Sequence, residues 1–352
     1  MLIVMKMDAT PDEIRAVVEK VEKKGLRAHP IPGAQRTAIG ITGNLGAVER
    51  GTFESAAGVL EVIRVSHPFK LVSREFRPAN TIIEVGGVSI GGPDLAVIAG
   101  PCSVESYEQM MRIAERVKAA GIQLLRGGAY KPRTSPYSFQ GLGVEGLKIL
   151  ARVREETGLA IVTEALDIDV LDPVAEYADV VQIGARNMQN YTLLKKAGRC
   201  GKPVLLKRGM TATVTELLLA AEYILDQGNE KVILCERGIR TFTDHTRNTL
   251  DIAAIPAVQK ISHLPILVDP SHAAGRRDMV LALARAGVAA GADGLIVEVH
   301  DRPEESFSDA EQALLPDELD RLMADLRTLA PAVGRQMPAV SSTAASTAGV
   351  TA

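Results

Sequence analysis

Residues 266–278, with the sequence ILVDPSHAAGRRD, indicate how most of the chain folds. The stretch begins with an apolar run typical of a buried strand, and Asp269 and His272 follow where that run ends. The residues that come next, RDMVLALARAGVAAG, have the spacing of an amphipathic helix that ends at glycine. A strand that leads into a helix rather than into a hairpin predicts a βα unit of a parallel sheet.

The same alternation of strand and helix continues from residue 95 to the end of the folded chain. Eight apolar runs that suit strands buried on both faces predict a closed (β/α)8 TIM barrel over residues 93–335. An open doubly wound sheet is the alternative, but the chain lacks a glycine-rich dinucleotide fingerprint. The predicted strands are LAVIAG, IQLLRG, LAIVTEA, ADVVQIGA, PVLLKRG, KVILCERG, LPILVDPSH and DGLIVEVH.

A separate small domain is predicted for residues 1–68. The order of its strands and helices, βαββαβ, is that of a ferredoxin-like module, which binds a small effector or serves packing and oligomerisation. Its first helix is expected to begin after Thr10 and to end at Gly25. Residues 69–92 are expected to form a linker and a β-ribbon that turns at Gly86-Gly87, and residues 336–352 a disordered tail.

Composition excludes several classes of function. The 352-residue chain is 46% hydrophobic and carries a formal net charge of −3, so nothing in its overall charge favours nucleic acid or an anionic membrane as a partner. Three cysteines do not suggest a disulfide framework. No apolar run is long enough to span a membrane and no signal peptide begins the chain, so we expect a cytoplasmic protein.

Ionisable side chains follow the predicted strands at their carboxyl ends, which in a barrel form one rim that carries the active site. The larger group is cationic and indicates a ligand with several negative charges, such as phosphate and carboxylate. The alternative for any one member is a surface charge or an ion pair with Glu164 or Glu236. The group comprises Arg126, Lys131, Arg133, Arg186, Lys207 and Arg237.

A second group at the same rim combines a thiol, an imidazole and two carboxylates. Cys102, His272 and Glu298 follow predicted strands, and Asp309 lies in the loop after the eighth. This mixture suits a borderline divalent ion such as Zn, Mn, Fe or Co. The alternative is an inert buried cysteine, because the chain has neither a CxxC nor an HExxH motif.

Taken together, the motifs resemble those of the 3-deoxy-D-arabino-heptulosonate 7-phosphate (DAHP) synthases, in the branch that includes the 3-deoxy-D-manno-octulosonate 8-phosphate synthases. The N-terminal module with KLVSREF resembles the bacterial form that has a ferredoxin-like regulatory domain. The resemblance covers about residues 1–335 and rests on IAGPCSVES, LRGGAYKPRTSPYSFQGLG, VTEALD, QIGARNMQN, PVLLKRGM, ILCERGIRTF, VDPSHAAGRRD and GLIVEVH.

This resemblance implies a condensation of phosphoenolpyruvate with erythrose 4-phosphate and water, the first step of the shikimate pathway to aromatic amino acids. It implies that a divalent metal is held by Cys102, His272, Glu298 and Asp309. It implies phosphoenolpyruvate binding by Arg126, Lys131, Arg186, Lys207, Arg237 and the backbone N–H of Ala185. The aldose phosphate is expected at Arg133, Thr134 and Ser135. Glu164 is expected to offset positive charge, and Lys131 or His272 to move protons.

Two other functions stay open from the sequence. One is the octulosonate phosphate synthase reaction, which uses arabinose 5-phosphate, although KPRTS and the N-terminal module favour the shorter sugar. The other is a non-catalytic sensor of aromatic amino acids, against which the complete cationic and metal-like groups argue. The resemblance also implies feedback by tyrosine or phenylalanine through residues 1–68, and assembly into a tetramer.

Overall fold

The computed structural model describes residues 1–33, 36–43, 49, 51–63, 68–133, 135–308 and 310–338. These residues form a four-stranded antiparallel sheet, a two-stranded ribbon and a closed barrel of eight parallel strands. The predicted fold class, a (β/α)8 barrel with a small N-terminal ferredoxin-like domain, is confirmed. Thr134 and Asp309 lie outside the described residues.

The N-terminal unit has its strands in the spatial order β2-β3-β1-β4. Its first helix begins as predicted, because Thr10 accepts from the backbone N–H of Glu13 while the Glu13 side chain accepts from that of Thr10. The second helix covers Gly51–Glu54. The elements are β1 (Leu2–Met5), α1 (Pro11–Glu22), β2 (Arg27–Pro32), β3 (Thr37–Thr42), α2 (Gly51–Glu54) and β4 (Val59–Ile63).

Alternating strands and helices make up the barrel. One apolar core fills its interior and a second packs the helices against its outer face, which explains why most strand positions are apolar except near the carboxyl ends. Its strands are β7 (Ala96–Gly100), β8 (Leu124–Arg126), β9 (Ala160–Ala165), β10 (Val180–Ile183), β11 (Val204–Lys207), β12 (Val232–Glu236), β13 (Ile266–Val268) and β14 (Gly294–Glu298). Its helices are α3 (Tyr107–Ala119), α4 (Val144–Thr157), α5 (Leu171–Tyr177), α6 (Tyr191–Ala197), α7 (Val214–Leu225), α8 (Ala254–Ile261), α9 (Pro270–Ala274), α10 (Arg277–Ala289) and α11 (Pro316–Ala332).

The ribbon closes the amino-terminal end of the barrel. Its strands, β5 (Ile83–Val85) and β6 (Val88–Ile90), pair around the predicted turn and pack against the barrel interior. Gly86 has a φ of 58°, and a Cβ there would approach the Cβ of Ala160 to 2.9 Å. With this end filled by apolar side chains, ligands reach the barrel from the carboxyl ends of the strands.

The linker joins the small unit to the barrel through a half-buried carboxylate. Glu222 on α7 accepts from the backbone N–H groups of Lys70, Leu71 and Val72 at 2.8–3.1 Å. A second contact is the ion pair of Arg27 with Asp226, at 3.0 Å. The backbone N–H of Gln336, the first residue of the predicted tail, donates to the carbonyl oxygen of Pro93, just before the first barrel strand. Among the described residues, no helix is long and apolar enough to cross a membrane.

Candidate active site

A cavity of about 440 Å³ opens at the carboxyl ends of the barrel strands. The structure brings most of the predicted site residues together in its wall. Residues that sequence reasoning missed are Gln182, Arg240, Arg247 and Asn248. The predicted residues that line it are Arg126, Lys131, Arg133, Ser135, Glu164, Ala185, Arg186, Lys207, Arg237 and His272.

The wall of the cavity is strongly cationic. Among the described residues, eight lysine and arginine side chains and one carboxylate line it. Nη1 of Arg126 and Nη2 of Arg133 are buried and have no hydrogen-bond partner in the described part of the chain. The pKa of Arg237 is lowered, mainly by burial and further by nearby Arg247 and Arg186. A bound anion would relieve both the charge repulsion and the unmatched donors.

The ammonium group of Lys131 lies between the cavity and the candidate thiol ligand. Its Nζ donates to Sγ and to the carbonyl oxygen of Cys102, at 2.9 Å each. Burial acts to lower the pKa of Lys131, but Cys102 and Glu298 outweigh it, and the pKa is raised. Lys131 is therefore protonated at neutral pH, and it is available as a proton donor.

Asp269 organises the residues that follow the seventh barrel strand. It is fully buried and caps α9, where it accepts from the backbone N–H of His272 at 2.9 Å. Its Oδ2 lies 2.8 Å from Nδ1 of His272 and also pairs with Lys207. Burial would raise the pKa of Asp269, but His272 and Lys207 bring it well below its usual range. The charged carboxylate therefore fixes the orientation of both neighbours.

His272 is held in a form suited to binding a metal. Its pKa is lowered, chiefly by burial, so the ring is neutral at pH 7. Because Asp269 favours a proton on Nδ1, the lone pair of Nε2 points away from it, and Nε2 lies 3.4 Å from Oε1 of Glu298. Two ligands of one divalent ion are about 3.0–3.4 Å apart, so this pair has the required spacing.

Glu298 is fully buried and is oriented by three neighbours. Its Oε1 pairs with Arg126 at 3.1 Å, and its Oε2 accepts from Gln312 at 2.6 Å. The hydroxyl of Ser271 accepts from its backbone N–H at 3.0 Å. Sequence reasoning missed Gln312, which comes from the loop after β14, because an isolated glutamine in a loop carries no local signal.

The metal-binding prediction fits the chemistry of the residues, but the donors do not form a compact cluster. Within the described residues, no group of three or more His, Cys, Asp or Glu side chains is arranged to hold a metal ion. The thiol and the carboxylate each contact a cation of the cavity wall, Lys131 at Cys102 and Arg126 at Glu298, and the imidazole of His272 lies beside Glu298. Such a donor set suits a borderline divalent ion. Asp309, the fourth predicted ligand, is outside the described part of the chain.

Glu164 supplies the carboxylate in the wall of the cavity. Gln182, on the adjacent strand, donates to its Oε2 at 2.8 Å. Gly184 provides the space for this carboxylate, since a Cβ at that position would lie 2.1 Å from Oε1 of Glu164. By contrast, Glu236 accepts from Arg208 at 2.7 Å within a buried structural network that includes Asp251.

A parallel barrel with this cationic cavity at the carboxyl ends of its strands is typical of enzymes that bind small anionic substrates such as phosphorylated compounds. The profile of the DAHP synthetase I family matches residues 75–333, and that of the DAHP synthase ferredoxin-like domain matches residues 1–67. The chain belongs to the DAHP synthetase I family. The predicted enzyme class and the condensation step of the shikimate pathway are thereby confirmed.

Known relatives include both branches considered from the sequence. The phospho-2-dehydro-3-deoxyheptonate aldolase of Thermotoga maritima is 54% identical over 95% of this chain and 99% of its own length. A crystal structure of that aldolase has a TM-score of 0.77 and covers 96% of this chain and 98% of its own. A 2-dehydro-3-deoxyphosphooctonate aldolase of Geobacter sp. strain M21 is 33% identical over 70% of this chain and 96% of its own length. The family is metal-dependent and uses phosphoenolpyruvate and erythrose 4-phosphate.

Proposed function

We propose that this chain condenses phosphoenolpyruvate with erythrose 4-phosphate in the cavity at the carboxyl end of the barrel. The observation that carries the proposal is the excess of cations there, with buried guanidinium donors of Arg126 and Arg133 that lack partners among the described residues. Phosphoenolpyruvate carries negative charge at both ends, so it requires cations on more than one side. The cavity provides them from several strands.

We propose that the cations divide into subsites. Arg186 and Arg237, which lie close enough to influence each other's charge, are proposed to bind the phosphate of phosphoenolpyruvate together with the backbone N–H of Ala185. Arg126, Lys131 and Lys207 are proposed to bind its carboxylate. Arg133, Thr134 and Ser135 are proposed to bind the phosphate of the aldose.

Cys102, His272, Glu298 and Asp309 are proposed to hold a divalent ion, with Mn, Zn, Fe and Co as candidates. When bound, the ion supplies Lewis-acid polarisation of the aldehyde oxygen. Asp269 keeps Nε2 of His272 free of a proton, which is the form that a ligand requires. Nζ of Lys131 lies 2.9 Å from Sγ of Cys102, so this contact would have to open if Sγ held the ion.

Proton movement is assigned to Lys131 rather than to His272, because Lys131 is held protonated and His272 neutral. Carbon 3 of the enol forms the new bond to the aldehyde carbon, and Lys131 donates a proton to the aldehyde oxygen. Carbon 2 becomes electron-poor, and the carboxylate of Glu164 offsets this charge. Water adds to carbon 2 and gives one of its protons to Lys131, which restores the ammonium group. The hydroxyl then on carbon 2 becomes the ketone as the bond from carbon 2 to the phosphate oxygen breaks, and its proton leaves with the inorganic phosphate.

A product assay tests this proposal. We expect wild-type protein to form the seven-carbon product from erythrose 4-phosphate and to use arabinose 5-phosphate poorly. His272→Ala should lose activity while remaining folded, and EDTA should inactivate the wild type until Mn²⁺ or Zn²⁺ is added back. Full activity of His272→Ala in metal-free buffer would contradict the assigned site.

Further properties are proposed from the sequence and from the resemblance. Residues 1–68 bind an aromatic amino acid that inhibits the enzyme, so their deletion should abolish inhibition by tyrosine or phenylalanine. The chain assembles into a tetramer, which light scattering of the purified protein measures. The protein acts in the cytoplasm. The predicted boundaries at residues 68, 92 and 335 separate its regulatory, linker, catalytic and tail segments.

A further inference from the structure

A hydrogen-bonded cluster outside the cavity joins the loop after the first barrel strand to the loop after the eighth. Its centre is Oε1 of Glu105, which accepts from Oγ of Ser103 at 3.0 Å, from Oγ of Ser306 at 3.2 Å and from the backbone N–H of Phe307 at 2.9 Å. The hydroxyls of Ser103 and Ser308 lie 2.6 Å apart in the same cluster. One carboxylate oxygen therefore links two loops that are about 200 residues apart in the chain.

These loops carry the candidate metal ligands. Ser103 is bonded directly to Cys102, and the segment 306–308 belongs to the same loop as Gln312, which orients Glu298 from outside the cavity. The backbone of Cys102 is also held at its carbonyl by the N–H of Gly128 and by Lys131. The spacing between the thiol of Cys102 and Glu298, which Gln312 orients, is therefore expected to depend on the contacts of Glu105.

The start of α3 reinforces the same connection. Gln109 accepts from the backbone N–H of Glu105 at 3.2 Å and donates to the carbonyl of Ser103 at 3.1 Å. It also contacts His300, the second residue after β14, at 3.3 Å. Arg112, one turn further along α3, pairs with Asp301 at 2.7 Å. This side of the barrel mouth is thus cross-linked through side chains of α3 and its preceding loop.

We propose that Glu105 is a positioning residue for the metal site, which sets the distance between Cys102 and the ligands near the eighth strand. Glu105 acts as a hydrogen-bond acceptor and not through its charge. The inference rests on the proposed metal site, and it assigns a role to a residue that touches neither substrate nor ion. Residues that orient metal ligands from outside typically change metal affinity by about 10- to 100-fold when removed.

The test is a titration of metal-free, full-length protein with Co²⁺, read by the charge-transfer absorption between the ion and the Cys102 thiolate. Glu105→Ala should raise the Kd for Co²⁺ by about 10- to 100-fold. Glu105→Gln keeps the acceptor oxygen and should restore binding to within a few-fold of wild type. Glu108→Ala, an exposed position on α3 with the same loss of charge, is the matched control and should bind as wild type.

Calorimetric titration of phosphoenolpyruvate into the same metal-free proteins separates positioning from general disruption. Its Kd should change far less than the Kd for Co²⁺ in Glu105→Ala, because the described cations of the cavity other than Lys131 do not contact Cys102. Three results would each overturn the inference. Glu105→Ala could lose as much affinity for phosphoenolpyruvate as for Co²⁺, or it could bind Co²⁺ as tightly as the wild type. Glu105→Gln could also bind Co²⁺ as weakly as Glu105→Ala. If Glu105→Ala does not fold, the double variant Ser103→Ala and Ser306→Ala replaces it, with the same expected rise.

The wild type and Cys102→Ala distinguish this failure from failure of the metal site. If the wild type binds Co²⁺ with the thiolate signal, Cys102→Ala lacks that signal, and Glu105→Ala binds normally, then the metal site stands and the role of Glu105 is wrong. If the wild type shows no thiolate signal, both proposals are wrong.

Discussion

Replacing Asp269 by asparagine removes one charge without changing the size of the side chain. The carboxylate accepts from the His272 backbone, lies 2.8 Å from Nδ1 of the same ring and pairs with Lys207. An amide cannot serve all three, because one of its two ends is a donor. If the NH₂ group of the new asparagine faces Lys207 and Nδ1 of His272, the imidazole must carry its proton on Nε2. If the NH₂ group faces the backbone N–H of His272, the N-cap of α9 is lost.

The size of the effect follows from burial. Asp269 is 0% exposed and Lys207 is 4% exposed, so the variant leaves a buried ammonium without its counter-charge. Breaking a buried pair in this way lowers the free energy of unfolding by about 3–5 kcal/mol. The wrong proton position on His272 should weaken metal binding by about 10- to 100-fold, because Asp269 orients that ligand.

Chemical denaturation and Co²⁺ titration of the same preparations measure the two effects. Asp293→Asn is the matched control, since Asp293 is a buried carboxylate at the opposite end of the barrel that accepts from the Ile266 backbone at 2.7 Å and pairs with Arg335. It should lose stability but keep wild-type metal affinity. Wild-type metal affinity of Asp269→Asn would refute the reasoning.

Two other predictions concern substrate choice and pH. Arg133→Ala should raise KM for erythrose 4-phosphate by about 10- to 100-fold, the range for one charge-assisted hydrogen bond, with little change in KM for phosphoenolpyruvate. Steady-state kinetics with each substrate varied in turn measure both constants. An equal rise in both would show that the assignment is wrong. Buried His263 has its pKa lowered to about 4, chiefly by desolvation, so between pH 6.5 and 4 the unfolded chain takes up a proton that the folded chain does not. The free energy of unfolding should therefore fall as pH falls through that window, by about 2 kcal/mol between pH 7 and 4.5. Chemical denaturation of His263→Gln at both pH values should not show this part of the loss.

The barrel was predictable because its strands are buried on both faces and its helices end at glycine, both of which are local signals. The cationic group was predictable because strand ends in a parallel barrel must meet. Arg240 and Arg247 were not, since they reach the cavity through a segment that folds back by pairing Ile239 with Thr249. That pairing joins residues without a strand pattern.

The sequence after the seventh barrel strand contains a helix-capping signal from which the short helix α9 could have been predicted. Asp269 followed by Pro270 has the residue types of a helix N-cap and first turn, and the structure contains a five-residue helix at that point. The cap sets the direction of His272. The contacts of Glu298 with Arg126 and Gln312 carried no comparable signal, because they join residues from three distant loops or strand ends.

A crystal of the protein soaked with Mn²⁺ and phosphoenolpyruvate, measured for the anomalous signal of the metal, tests the central claim most directly. The account predicts one strong peak within about 2.0–2.6 Å of Cys102, His272 and Glu298, with the phosphate of phosphoenolpyruvate at Arg186 and Arg237 in the same cavity. A peak away from these side chains, or phosphoenolpyruvate bound outside the cationic cavity, would contradict the account.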